Sequence, residues 1–438
     1  MDNAPRPLFS EGPPPSSTLA DVEAFLLDLL RRMPPESPRT GPGRPRILPA
    51  LALWAGLLVC VLRGFSSQLA LWRLLHDRQL WYFPRFSVSD QAVYKRLAQA
   101  SPAPLEALFH QVSSLLAARH PDGTGPPLAP FAAAVVAVDE TTLDKVARHL
   151  PQLRGLPTRD ARLLPGKAGG VFDLRTQQWR TVQFIPDAHQ NEKVLARELV
   201  ASLPAESLVV ADLGYFGFPW FDWLTDHHYW WVSRLRAKTS YTVIHTYYHQ
   251  GALFDGLVWL GAYRADRAAH AVRLVCFPQG ATVRRYLTNV LDPQQFPLAA
   301  IARVYARRWD IEMAILLVKR HLGLHLLWSA KPAVIHLQLW AVLIIAQVLQ
   351  ALRLEIAAQA ECDPFEVSLA LLVEYAPRYA AQGCDPVQAF VESGRALGFI
   401  RPSRRIMIRA PVIPPEHLIP VPPGFSLTRT PRYAGKSR

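Results

Sequence analysis

Cysteine is scarce in this chain, with four residues in 438: Cys60, Cys276, Cys362 and Cys384. None has a partner at close spacing, which excludes the common zinc-binding patterns and a disulfide framework and leaves a reducing cytoplasm as the expected compartment. Lysine is scarce too. Only eight of the 48 cationic residues are Lys, and they stand against 35 acids for a net charge of +13. Arg offers phosphate a planar, two-pronged donor set, so this bias fits a nucleic-acid partner better than a small acidic ligand. Long apolar runs are few. Ile47 to Leu62 covers 16 residues, short of a bilayer span. Ala333 to Leu352 is long enough but carries His336, Gln338, Gln347 and Gln350. Both read as core helices, and no membrane partner is expected. The first residues are Pro-rich and polar, without the basic-then-apolar order of a signal peptide.

The length suffices for two or three domains with cores of their own. Residues 1–45 carry Pro and Gly clusters around a helical patch near Leu19 to Arg32 and read as a flexible arm. Residues 46–125 read as helices. Within them Phe86 to Ala98 has a Ser89/Asp90 cap followed by apolar spacing at Ala92, Val93 and Leu97. With Tyr94, Lys95 and Arg96 alongside, this is either the recognition helix of a helix-turn-helix or a plain helix of a small bundle. A Gly/Pro-rich linker spans His120 to Leu128. Beyond it a strand ends at Asp139, a loop runs to about Gly170, and Gln177-Gln178 joins strands Gly170–Arg175 and Trp179–Ile185 as a hairpin. A helix from Asn191 to Leu203 leads to a strand ending at Asp212. A short helix from Pro219 then precedes five alternating segments: Tyr229 to Arg236, Tyr241 to His249, Leu257 to Ala262, His270 to Phe277 and Thr282 to Thr288. Their Trp, Tyr and Arg suit a surface that stacks on a single strand, or simply the core of a β-subdomain; Trp230, Trp231 and Trp259 individually read as core. From Arg401 the tail is basic and Pro-rich and reads as extended.

Two acids share one context. Ala132 to Val138 is an unbroken apolar run that stops at Asp139, and Ser207 to Ala211 is another that stops at Asp212. Such runs read as strands covered on both faces, and an acid at their carboxyl ends lies where α/β folds collect ligands. Either Asp alone is as simply explained as a helix cap or turn former. A third acid, Glu312, sits on the helix predicted from Ile301 through Lys319. There Tyr305, Arg308, Glu312 and Lys319 fall within an arc of roughly 60° over about 21 Å. Val304, Ile311, Ala314 and Val318 mark a separate core face. The stripe is either a carboxylate set among phosphate-binding groups or a solvated face. Three carboxylates supply oxygen-only ligation of the kind Mg²⁺ and Mn²⁺ prefer.

The spacing Tyr305-x2-Arg308-x3-Glu312-x6-Lys319 resembles, position for position, the signature of the IS-four-like group of bacterial DDE transposases. Asp139-Glu-Thr141 resembles that family's first block and Asp212-Leu-Gly214-Tyr215-Phe216 its second. Tyr286-Leu-Thr288-Asn289 resembles the segment before the last block. The likeness covers about residues 130–330, in the family's order. One feature departs from it: Val283-Arg284-Arg285-Tyr286 lacks the Trp that some members stack beside a flipped base, so that either Arg284 or Tyr286 takes that role or the role is absent.

The resemblance implies an α/β fold: an RNase H-like core interrupted by a β-rich insertion, behind an α-helical N-terminal DNA-binding domain. The expected segments are the arm (1–45), the DNA-binding domain (46–125), the first part of the core (130–213), the insertion (214–297), the second part of the core (298–380) and a C-terminal extension with a basic tail (381–438). It further implies cut-and-paste transposition. Asp139, Asp212 and Glu312 would hold two Mg²⁺ or Mn²⁺ ions. Tyr305, Arg308 and Lys319 would hold phosphates, and Arg284 or Tyr286 would contact DNA. Partners would be double-stranded DNA, as transposon ends and target, and a second copy of the chain, acting at the nucleoid in the cytoplasm. Two other readings stand beside this one: a domesticated RNase H-like nuclease, and a non-catalytic DNA-binding protein.

Overall fold

Long apolar helices and short Val-rich strands separate into two compact units in the computed structural model. The first unit comprises residues 1–120, 142–165 and 314–403, and the second residues 121–141, 166–313 and 404–438. The segment 298–380, one stretch in the sequence reading, is thus divided between them after Met313. Described are residues 22–33, 47–77, 80, 83–119, 127–143, 151–157, 160, 166–185, 190–261, 266–329, 331–403 and 408–433. Most of the expected N-terminal arm, most of the linker from His120, and Arg404 and Arg405 of the tail lie outside them.

The first unit opens with α1 (Val22–Arg31), α2 (Ala50–Leu62), α3 (Gln68–His76), α4 (Asp90–Gln99) and α5 (Ala103–Ala117). Side-chain oxygens start two of these helices. The Ser67 hydroxyl accepts from the Ala70 amide and the Ser89 hydroxyl from the Ala92 amide, each quenching an amide that the first turn leaves bare. Helix α2 is buried on nearly every side, as its uninterrupted apolar sequence requires. It approaches α3 so closely that a Cβ at Gly56 would lie 2.6 Å from Leu71 Cδ1.

The second unit is built on one sheet. Its strands are β1 (Val135–Thr142), β2 (Lys167–Asp173), β3 (Trp179–Ile185), β4 (Leu208–Val210), β5 (Trp230–Arg234), β6 (Tyr241–Gln250), β7 (Leu253–Leu260), β8 (Val272–Gln279) and β9 (Thr282–Thr288), in the order β3-β2-β1-β4-β5-β9-β8-β7-β6. Strands β1, β4 and β5 run parallel, while β2 and β3 form the expected antiparallel hairpin. Helix α6 (Glu192–Ala201) makes the crossover into β4, and α7 (Phe218–Asp226) the crossover into β5. The Val and Ala side chains of β1 and β4 are buried, which is what a parallel sheet clad on both faces demands. The segment 214–297 does not form a sheet of its own. Antiparallel pairing of β9 with β5, from Val232↔Thr288 to Arg234↔Tyr286, continues the sheet into β8, β7 and β6.

This extension is fixed by a buried ion pair and by the tail. Arg273 on β8 sends Nε and Nη2 to the two Asp255 oxygens on β7, at 2.7 and 2.6 Å, and Nη1 to the Phe296 carbonyl at 2.6 Å. Phe296 stands just before the next helix, α8 (Leu298–Ala306). The tail does not hang free. The Tyr433 hydroxyl donates to Asp222 Oδ2 at 2.7 Å, and the Arg429 guanidinium covers the Trp259 ring while donating to the Leu260 and Ala268 carbonyls. Trp231 is core, stacked on Phe221, as its sequence context suggests.

After α8 come α9 (Trp309–Leu316), a π-helical turn at Leu317–His321, α10 (Pro332–Gln359), α11 (Leu369–Ala381) and α12 (Pro386–Ser393). Helix α10 is long and apolar enough to cross a membrane by length and composition, and 83% of its most apolar window is buried inside the protein. It packs on α2, α4, α5, α11 and α12 of the first unit. Its Gln347 amide donates to the Ser113 hydroxyl at 2.6 Å, satisfying a polar group that a lipid-facing helix would not pair with a neighbour.

The Asp255–Arg273 fork predicts a specific stability pattern. Asp255→Ala leaves a buried guanidinium without its carboxylate and should cost about 3–5 kcal/mol, read as a shift in urea midpoint. Replacing both residues by apolar ones of similar volume should cost clearly less.

Candidate active site

Pairing of β1 with β4 aligns Val135 with Leu208, Val136 with Val209 and Ala137 with Val210. The last of these pairs lies two residues before Asp139 and Asp212, and the Asp212 charge acts on the Asp139 carboxyl. Apolar burial of both strands therefore decides where the two acids emerge. The strand expected to end at Asp139 runs on to Thr142, so Asp139 lies within β1, whereas Asp212 follows the end of β4. The Glu140 amide donates to Asp139 Oδ1 at 2.8 Å, and the Gly214 amide donates to Asp212 Oδ1 at 2.7 Å, making Asp212 the cap of the short 3₁₀ turn Leu213–Tyr215. The turn-forming role expected of such an Asp is thus filled at Asp212.

Glu312 belongs to the same unit and the same electrostatic neighbourhood. Burial pushes the Asp139 carboxyl up to about 6; the Glu140 amide opposes this, the charges of Asp212 and Glu312 raise it further, and Arg308 lowers it. Arg308 holds Glu312 directly, Nη2 to Oε1 at 2.8 Å, one helical turn apart. A desolvated carboxylate next to two more acids is a place where a cation would be welcome, and the donors are all oxygen. Among the described residues, however, no group of three or more His, Cys, Asp or Glu residues stands ready to hold a metal ion as the side chains lie. Glu312 is turned onto Arg308. The donor chemistry fits a divalent ion; gathering the three carboxylates on one requires Glu312 to exchange its guanidinium for the ion.

The single helix expected from Ile301 to Lys319 is instead three pieces. Helix α8 ends at Ala306, α9 begins at Trp309, and α9 gives way at Leu317 to the π-helical turn. The four signature residues therefore do not share one continuous stripe. Tyr305 closes α8, Arg308 lies in the corner, Glu312 is in the first turn of α9, and Lys319 lies in the π-helical turn, within the first unit. The cause is tertiary. Arg307 and Asp310 pair with each other at the corner and with the β2–β3 turn, which the local sequence does not disclose.

Tyr305 is 7% exposed, and burial pushes its hydroxyl up to about 12, with Arg308 and Arg234 opposing and Asp212 and Tyr286 reinforcing the shift. It is a neutral phenol beside the acids. Tyr286 is 1% exposed, with its ring 4.9 Å from that of Tyr305 and 5.9 Å from that of Phe277. Stacking on a base would require a ring face that this packing occupies. Arg284, two residues earlier on β9, is part-exposed and held by Gln279 at 2.9 Å. Two cations not singled out from the sequence stand near the site. Arg234 lies at the carboxyl end of β5, opposite Tyr286, and Arg236 donates to the Leu213 carbonyl at 2.7 Å beside Asp212. Their signal was present: a third parallel strand ends in the basic run Arg234-Leu-Arg236, and parallel neighbours deliver their carboxyl ends to one sheet edge.

Residues 134–348, just under half of the chain, match the family model described as transposase DDE domain. A protein of Sinorhizobium fredii (strain NBRC 101917 / NGR234) named "Putative transposase y4zB" is 23% identical over 207 residues, which cover 46% of this chain and 57% of that protein. The chain thus spans little more than half the length of that relative. A solved cryo-EM structure, the piggyBac transposase synaptic complex with hairpin DNA, is similar over 89% of this chain and 84% of its own, with 9% identity and a TM-score of 0.37. That likeness is too distant to carry structural detail. The family match and the relative support a DDE transposase.

The raised Asp139 carboxyl gives a signed stability prediction. Its ordinary value is 3.8, so between about 4 and about 6 the folded protein holds a proton that the unfolded chain has lost. Stability falls as pH rises through that window and stays lower above it, by up to about 3 kcal/mol. Asp139→Asn removes the ionisation. In chelator, its melting temperature should exceed that of the wild type at pH 8, and the gap should shrink toward pH 4.

Proposed function

We propose that this chain is a cut-and-paste DNA transposase of the IS-four-like kind, cleaving and rejoining phosphodiesters at insertion-sequence ends. The observation that carries the reading is electrostatic: the charges of Asp212 and Glu312 both act on the Asp139 carboxyl, and the parallel register of β1 and β4, whose last pair lies two residues before Asp139 and Asp212, supports it. The order β3-β2-β1-β4-β5, with an acid following the apolar run of each of two neighbouring parallel strands, supports an RNase H-like core.

In this reading Asp139, Asp212 and Glu312 hold two divalent ions, Mg²⁺ or Mn²⁺. When bound, such a pair activates water or a 3′-hydroxyl and stabilises the leaving oxygen. The remaining roles belong to side chains. Arg308 neutralises Glu312 while the site waits, then turns its planar fork to a DNA phosphate beside the scissile bond. Tyr305 supplies a neutral hydroxyl that fills space next to Asp212 without adding charge. Arg234, Arg236 and Arg284 offer positive charge to the same strand, and Lys319, in the first unit, contributes a phosphate contact of its own. DNA substrate, a homodimer on paired ends, and a DNA-binding role for the helices of residues 46–125 belong to the same proposal.

Three substitutions test it. Asp212→Asn keeps size and most hydrogen bonding but loses the charge that attracts the ion. It should abolish Mg²⁺-dependent cleavage of end-containing DNA in a gel assay and leave affinity within about twofold; retained cleavage would show that the ligand set is wrong. Lys319→Ala should lower the slope of log affinity against log salt by about one unit, because one counterion-releasing contact is lost. Arg308→Lys should impair cleavage, since a point charge cannot replace a fork. An unchanged salt slope in folded Lys319→Ala protein would remove that residue from the DNA contacts.

A further inference from the structure

The corner between α8 and α9 is bound to a turn more than 130 positions earlier in the sequence. The Leu174 carbonyl, directly after β2, accepts from Gln177 Nε2 at 3.1 Å and from Arg307 Nη2 at 3.0 Å. Gln177 Nε2 also reaches Asp310 Oδ2 at 3.0 Å, and Arg307 Nε donates to that same oxygen. Gln177 and Asp310 are both buried. Gln177 adopts a left-handed backbone, φ 55°, rare for a residue that is neither Gly nor Asn. A strained, buried amide kept in contact with a buried carboxylate signals a position that the rest of the fold over-determines.

The other side of the same turn is bound to β1. The Leu174 amide donates to the Val135 carbonyl at 2.8 Å, and Arg175 donates to the carbonyls of Leu128, Ala129 and Ala132 at 2.9, 2.6 and 3.0 Å. Asp173 stiffens the turn by accepting from the Arg175 and Thr176 amides and from Arg180. One rigid turn therefore grips both the strand that presents Asp139 and the corner two residues before Glu312. We propose that Gln177, Asp310 and Arg307 are positioning residues that set the distance of Glu312 from Asp139 and Asp212, acting through the corner and not by touching the reacting groups. The proposal rests on the reading that these three acids hold divalent ions.

The test uses the full chain and Mn²⁺ alone as probe. Gln177→Gly keeps a residue at ease with positive φ and deletes the amide; Asp310→Asn keeps the shape and removes the charge. Both variants are checked for folding by circular dichroism, then titrated with Mn²⁺ without DNA, followed by electron paramagnetic resonance. Cleavage is measured across a Mn²⁺ series, and end binding in chelator. A folded variant should bind Mn²⁺ roughly 10–100-fold more weakly, as loss of groups that orient ligands typically causes. Cleavage should recover as Mn²⁺ is raised, and DNA affinity should stay within twofold. A merely structural role predicts lower melting temperature with unchanged Mn²⁺ binding, and that result in either folded variant overturns the proposal. Glu312→Gln separates the two layers. Unchanged Mn²⁺ binding there overturns the metal assignment itself, and the positioning role with it; weakened binding in Glu312→Gln beside wild-type binding in Gln177→Gly and Asp310→Asn overturns the positioning role alone.

Discussion

Parallel pairing of β1 with β4 is the constraint from which the rest of the second unit takes its shape. Both strands are buried, so neither can slip by one residue without turning core side chains outward. A fixed register fixes the level at which the two apolar runs end, and the residue that follows each is an Asp. The site is thus a by-product of core packing: the apolar runs determine where the acids are, and the acids need only terminate them.

What the core sets in place, electrostatics opposes. Asp139 is desolvated and faces two further acids, and Arg308 supplies the counter-charge within reach. Holding Glu312 by a guanidinium lets the carboxylates coexist without a cation, at the cost of an arrangement that does not converge on one. The sheet extension contributes from the other side. Because β9 pairs with β5, Tyr286 packs under Tyr305 and the Arg234 edge lies beside it. Segment 214–297 thereby continues the sheet and packs beside Tyr305.

Much of this was legible in the sequence because it is local. Unbroken Val runs announced β1 and β4, alternation announced β6 to β9, and Ser89 announced the start of α4. The break between α8 and α9 was not legible, since Ile301 to Lys319 has helical spacing throughout and the interruption depends on Leu174 and Gln177, far away in sequence. The burial of Tyr286 depends likewise on which strand β9 pairs with, and an alternating strand does not name its partner. Arg234 and Arg236 went unnoticed for a related reason: their importance comes from the parallel neighbour β4, not from their own segment.

The division of the chain into two units has a consequence for how the molecule comes into being. Each unit collects three separated stretches, and the second is completed by the C-terminal segment, where Tyr433 meets Asp222 and Arg429 meets Trp259. These residues follow the strands they clasp in the chain, so the sheet extension must wait for them before it is fastened. Contacts this distant in sequence form slowly, since long loops must close before they are rewarded. The helices of residues 22–117 emerge first and wait for α10, with the exposed apolar surface of α2 needing protection in the interval.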